Sequence, residues 1–411
     1  MKWSKALSLL LVVLTLGLSG CMSGDDDEAA STDTMETTSA TVTTVSPATD
    51  LRVTLDRLMG EHAMLAQFAT QKGLKGEPDF EAIAGALDEN SVALSDAIGT
   101  VYGDDAARTF LDGKAMWRDH IQFFVAYTTA LAKGDKAGQT NAVNDLKGYI
   151  EAFSGLLSDA TGLPQGALRS AINEHVMHLK TQLDQYGAGS FESSYDTLRM
   201  AYAHMFMTGD TLAGGIAQQA PEEFSTGDVT QSAADLRVTL GRLLGEHVYL
   251  ATVATQKGVK GRPDFEAIAA ALDANSVDVA DAIGSVYGDD ARKTFLDGRA
   301  LWRDHIQFFV AYTTAVAKGD KAGQTKAVND LKGYVEAFSG FLADATGLPQ
   351  GSLRDSISEH VKHLKAQLDA YAAGDYAQAY RLMRHAYEHM WMTGDTLAKA
   401  IVEQSPDAFS A

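Results

Sequence analysis

The chain has 411 residues, 45% of them apolar and 21% charged, with a net charge of -20 and a single cysteine. That apolar share supports two or three domains with real cores and excludes disorder along most of the length. The acid excess, with no cluster of Lys and Arg, excludes a nucleic-acid binder, because phosphate recognition needs clustered cations to displace counterions. One cysteine excludes an internal disulfide and a thiolate metal site, leaving His, Met and carboxylates to supply any chemistry.

Taken in order, the opening MKWSKALSLLLVVLTLGLSGC sets Lys2 and Lys5 ahead of a short apolar run and small residues. This is the layout of an export signal over 1–20 rather than of a membrane span. Its ending, Leu18-Ser19-Gly20-Cys21, resembles the lipobox of bacterial lipoproteins. The resemblance implies that Cys21 is acylated, becomes the first mature residue, and anchors the protein to the outer face of a cell membrane or to a periplasmic membrane surface. Residues 21–49 are rich in Asp, Ser and Thr and poor in apolar residues, so they read as a flexible tether.

From Asp50 the sequence repeats itself. DLRVTL at Asp50 returns at Asp235, TQKG at Thr70 returns at Thr255, WRDHIQFFVAYTTA at Trp117 returns at Trp302, and MTGDTLA at Met207 returns at Met392. The constant offset implies two domains of one fold, 50–218 and 235–404, joined by a polar linker over 219–234 and followed by a tail over 405–411. Glycine and proline punctuate each copy at matching places, and six segments of helical length lie between them. Leu51, Leu55, Leu58, His62, Leu65 and Ala69 fall three or four apart in the first segment. Phe110, Trp117, His120, Phe124, Tyr127 and Leu131 do the same in the third. The remaining segments run roughly 79–101, 136–159, 165–186 and 191–218, so the expectation is all-α, with each copy an up-and-down bundle of four to six helices.

All 11 histidines lie inside the repeats. The first copy carries His62, His120, His175, His178 and His204; the second carries His247, His305, His360, His363 and His389, with His385 in addition. His62, His120 and His175 fall on apolar stripes, and a buried imidazole without partners for its nitrogens costs on the order of one to three kcal/mol. Glu61, Asp119 and Glu174 each precede one of them, as Glu246, Asp304 and Glu359 do in the second copy. Neighbours on a helix diverge by about 100 degrees, so each acid is expected to orient a histidine on another helix. His175 and His178, three apart, and Glu174 and His178, four apart, share a helix face that suits a common metal. His204 precedes Met207 by three, as His389 precedes Met392, and His385 stands where the first copy has Met200. Exchanging Met for His exchanges one copper-compatible ligand for another. Trp117, Phe123, Phe124, Tyr127, Tyr202 and Phe206 read as core aromatics, and Arg118 and Arg303 as partners of nearby acids.

A bundle with inward His and carboxylate groups resembles the ferritin-like and hemerythrin-like classes in architecture. The motifs depart from both: Glu174 precedes His178 by four rather than three, and His120 is followed four later by Phe124. The repeats are also similar to uncharacterised exported bacterial proteins labelled copper amine oxidase-like. Those enzymes need an Asn-Tyr-Asp or Asn-Tyr-Glu cofactor motif, which is absent here, so no oxidase activity carries over. The sequence therefore predicts one transition-metal site per copy, built by the five histidines with Met207 or Met392 and serving metal binding, buffering or sensing. Copper is expected first, with iron, zinc or haem b as alternatives. The competing expectation is a metal-free surface scaffold whose histidines make hydrogen bonds between helices.

Overall fold

The computed structural model describes residues 46–224 and 232–409. The expected export signal, Cys21 and all but the end of the expected tether fall outside these residues. Fourteen α-helices follow one another among the described residues, seven in each copy. In the first copy they are α1 (Pro47–Lys75), α2 (Phe80–Tyr102), α3 (Asp104–Asp112), α4 (Trp117–Lys133), α5 (Lys136–Thr161), α6 (Gln165–Gly187) and α7 (Phe191–Gln219). In the second they are α8 (Ser232–Lys260), α9 (Phe265–Tyr287), α10 (Asp289–Asp297), α11 (Trp302–Lys318), α12 (Lys321–Thr346), α13 (Gln350–Ala373) and α14 (Tyr376–Gln404), followed by a short 3-10 helix (Pro406–Phe409). None is long and apolar enough to cross a membrane.

Local chemistry sets the boundaries. Ser46 caps α1, its hydroxyl accepting from Thr49 N at 3.2 Å, and Pro47 follows at the first helical position. The helix therefore starts ahead of Asp50 and takes in the end of the expected tether. Likewise α8 starts at Ser232, inside the expected linker, because Ala233 and Ala234 are buried. The third segment is not one helix. It breaks between Asp112 and Trp117, so Phe110 lies on α3 and Trp117 on α4. Ala115 adopts a left-handed φ of 56° at the break, and its N–H donates to Asp119 Oδ2 at 2.6 Å.

Within each copy the helices run up and down around a central one. From Leu58 to Lys72 every residue of α1 is buried, and from Leu243 to Lys257 every residue of α8, as expected of helices surrounded by others. The surroundings of α1 include α2, α4, α6 and α7 of its own copy, and also α8 and α14 of the other. The described residues accordingly form one compact unit, and a single apolar cluster runs through both copies.

Contacts between the copies are reciprocal, as in a two-fold dimer joined into one chain. Arg384 Nε donates to Glu61 Oε1 at 3.0 Å, while Arg199 Nε donates to Glu246 Oε1 at 2.8 Å. Tyr202 and Tyr387 meet hydroxyl to hydroxyl at 3.3 Å. Lys72, buried, bridges Asp79 Oδ2 at 2.7 Å and the Tyr371 hydroxyl at 3.0 Å; Lys257 does the same with Asp264 and Tyr186 at 2.8 Å each. The Arg384–Glu61 and Arg199–Glu246 pairs cross between the copies with their carboxylates buried, and removing one partner alone from such a pair is strongly destabilising, so these links resist separation of the copies.

Candidate metal centre

Three buried histidines meet at the middle of each bundle. His62 from α1, His120 from α4 and His175 from α6 place one ring nitrogen apiece within 4.8 Å of one another, as do His247, His305 and His360. The Nε2 atoms of His62 and His120 are 3.4 Å apart, and those of His247 and His305 the same. Ring centroids in the first copy are 5.3 Å apart for His62 and His120, 5.7 Å for His62 and His175, and 6.4 Å for His120 and His175.

The neighbours of these rings are aromatic. Trp117 lies against His62 at 4.6 Å, and Tyr149 stacks on His120 at 4.7 Å with 20° between the planes. Tyr334 stacks in the same way on His305. The Trp117 Nε1–H donates to Ser91 Oγ at 3.1 Å, which turns its polar atom away from the histidines. Asp119 and Arg118 set where α4 begins. Asp119 accepts from Ala115 N, and Arg118 pairs with Asp88 and Asp112 at 2.8 and 2.7 Å, so His120 is delivered one turn into a fixed helix.

Both nitrogens of His175, and Nδ1 of His62 and His120, have no hydrogen-bond partner; Nδ1 of His247, His305 and His360 is in the same position. Removal from water disfavours the charged imidazolium, and the neighbouring rings add to this. Burial lowers the His120 and His305 pKa values to about 3 and pushes those of His62, His175, His247 and His360 well below the usual imidazole value. All six are therefore neutral at physiological pH and carry lone pairs that protons do not contest. Cavities border the triads. One of about 470 Å3 is lined by His120, Phe124, Leu87 and Leu179. In the second copy one of about 330 Å3 is lined by His247, His305 and Phe309, and another of about 380 Å3 by Trp302, Tyr334, Phe338 and His360.

The remaining candidates are placed elsewhere. His178 and His204 stand together with ring centroids 5.5 Å apart, beside Glu174, in a separate group on α6 and α7. Their counterparts His363 and His389 are 5.7 Å apart, with His385 at 6.5 Å from His363. Met200, Met207 and Met392 are exposed at 53%, 59% and 58%, so their thioethers lie in solvent and not with the buried triads. Glu61 is held by Arg384 of the other copy, by Asn90 Nδ2 at 2.8 Å and by the Tyr249 hydroxyl at 3.4 Å; Glu246 is held likewise by Arg199 and Asn275. Asp119 and Asp304 cap the starts of α4 and α11 through Ala115 and Ala300. Four of the six acids expected to orient histidines thus fix helices instead. Only Glu174, 3.8 Å from His204 Nδ1, and Glu359, 3.4 Å from His363 Nε2, approach imidazoles. Among the residues that sequence reasoning missed, Tyr149 and Tyr334 matter most. Their signal was an aromatic on the apolar stripe of the fourth segment, which is indistinguishable from ordinary core.

No family model matches the chain, and no curated protein or solved structure matches it.

Proposed function

We propose that this is a transition-metal-binding protein that holds one ion in each buried triad, copper in its monovalent state first, and serves binding, buffering or sensing rather than turnover. The observation that carries this reading is the convergence of three buried imidazoles from three helices with ring nitrogens that no protein group satisfies. Leaving such groups without partners costs on the order of one to three kcal/mol each, and a bound ion removes that penalty for the one nitrogen it takes from each ring. Imidazole donors suit copper, zinc, iron and nickel.

The charge of the site supports the monovalent choice. Three neutral donors with no carboxylate leave the charge of the ion uncompensated, and the cost of burying charge in an apolar shell rises with its square. A copper(I) ion is thus accommodated more readily than any divalent one. Haem fits less well, since an axial pair must flank a plane, whereas these rings converge on one point. The lipobox-like ending at Cys21 and the tether support placement of the folded part at the outer face of a membrane.

The scaffold reading draws on the His62–His120 contact, where one ring can donate to the other at 3.4 Å, but it leaves both His175 nitrogens unaccounted for. Anaerobic titration of tag-free protein against chromophoric chelators separates the two. The expected result is two copper(I) ions per chain, held at least about a hundredfold tighter than zinc(II) in the same sites. No copper binding tighter than about micromolar would leave the scaffold standing.

A further inference from the structure

The histidines outside the triads are arranged as ligands in their own right. In the first copy Glu174, His178 and His204 each offer one ligand atom, all within 4.8 Å of one another. His204 is buried, at 4% exposure. Its Nε2–H donates to the Ala171 carbonyl at 2.9 Å, with Thr208 Oγ1 at 3.5 Å. That bond fixes the tautomer and leaves Nδ1 as a bare lone pair on the side of Glu174, 3.8 Å from Oε2. No protein group hydrogen-bonds this Nδ1 or the buried Nδ1 of His178. An imidazole anchored through one nitrogen to a backbone carbonyl, its other nitrogen directed at a carboxylate and a second imidazole, is the arrangement of a metal ligand with its outer support in place.

The second copy keeps the backbone anchor, but its Glu359, His363 and His389 do not bring one ligand atom each within 4.8 Å of one another. His389 Nε2–H donates to the Ser356 carbonyl at 2.9 Å, with the Ser356 hydroxyl at 3.4 Å, and His363 Nε2 lies 3.4 Å from Glu359. Glu359 is also drawn to Lys362, which has no counterpart in the first copy because Met177 stands there. His385 replaces Met200 on the facing turn of α14, so a third imidazole adjoins the group where its carboxylate is shared with a lysine.

We infer that the first copy carries a second, half-exposed site for a divalent d-block cation, formed by Glu174, His178 and His204. Two imidazoles and a carboxylate with one position open to water form a donor set that suits zinc-class ions, and the carboxylate offsets charge that the triads leave uncompensated. The site stands on atoms distinct from the triads and does not require them to be filled.

The test uses the tag-free full chain titrated with zinc(II) alone. The His178→Ala substitution, at a half-exposed position that leaves the core intact, is expected to remove one zinc ion per chain whatever the triads hold, and His363→Ala none. Glu174→Gln is expected to weaken the same zinc ion tenfold or more. Unaltered zinc stoichiometry and affinity in the His178→Ala and Glu174→Gln variants overturns the inference. If instead the triads bind nothing, wild type holds one zinc ion and the His178→Ala variant none, which contradicts the triad reading while preserving this one.

Discussion

Replacing His120 and His305 together by alanine is expected to abolish high-affinity copper(I) binding, with affinity at both triads falling by more than about a hundredfold, beyond the ten- to hundredfold typical of losing an outer partner. The same substitution should erase metal-dependent stabilisation. An ion at a thousand times its dissociation constant adds about 4 kcal/mol per site, so the saturated wild-type chain should melt well above its metal-free form and the variant should not. Truncating two buried rings opens cavities, which destabilises, but it also removes buried nitrogens that lack partners, which offsets part of that cost. The metal-free melting temperatures should therefore differ far less than the metal-loaded ones. Differential scanning calorimetry with and without copper(I), on both chains, reads the contrast directly. Equal metal-induced shifts in wild type and variant would place the ions elsewhere.

The second large effect is acid unfolding of the metal-free chain. Each triad histidine has a folded-state pKa lowered by burial, to about 3 for His120 and His305, against about 6.5 once unfolded. Below pH 6.5 the unfolded chain binds protons that the folded chain refuses, so stability falls as pH falls, and it continues to fall until the folded pKa is reached. At about 1.4 kcal/mol per pH unit for each group, the loss accumulates to on the order of 4 kcal/mol each for His120 and His305 near pH 3. His62, His175, His247 and His360 act in the same direction. A fold with a typical stability of roughly 5 to 15 kcal/mol should then unfold between about pH 6 and pH 4. In the paired His120→Phe and His305→Phe variant two of these groups are gone, and the midpoint should move to lower pH by about half a unit or more. Far-ultraviolet circular dichroism at fixed ionic strength follows the transition. Coincident acid curves would mean that the buried rings do not resist protonation.

Much of this architecture was written in the spacing of apolar residues and in the duplication. The stripe that holds Leu58, His62 and Leu65 has the period of a helix, and His120 and His175 sit on stripes of the same kind, so three inward imidazoles per copy could be read before any coordinates. What spacing could not show is how a ligand set divides. His175 and His178 share a helix face, yet three residues still separate them by about 60 degrees around the axis, enough to send one to the centre of the bundle and the other to its α7 edge. The acids beside the histidines were misleading for the same geometric reason. Glu61 is turned about 100 degrees from His62, and in that direction lies Arg384 of the other copy, which a reading of one copy in isolation does not contain. Asp119 carried a different signal: an acid two residues inside a helix start, where it caps the preceding loop and breaks the third segment. The shared core was hidden in α1 and α8, whose unbroken burial over 58–72 and 243–257 takes in Glu61, Gln67, Gln71 and Lys72 and their counterparts, residue types that a sequence alone places at the surface.

The most direct measurement of the central claim is anomalous diffraction at the copper edge from crystals of copper(I)-loaded protein. The account predicts one peak in each copy, about 2 Å from a ring nitrogen of each member of the His62, His120, His175 triad and of the His247, His305, His360 triad. Triads without anomalous density, in crystals whose copper lies only on exposed histidines, would contradict it.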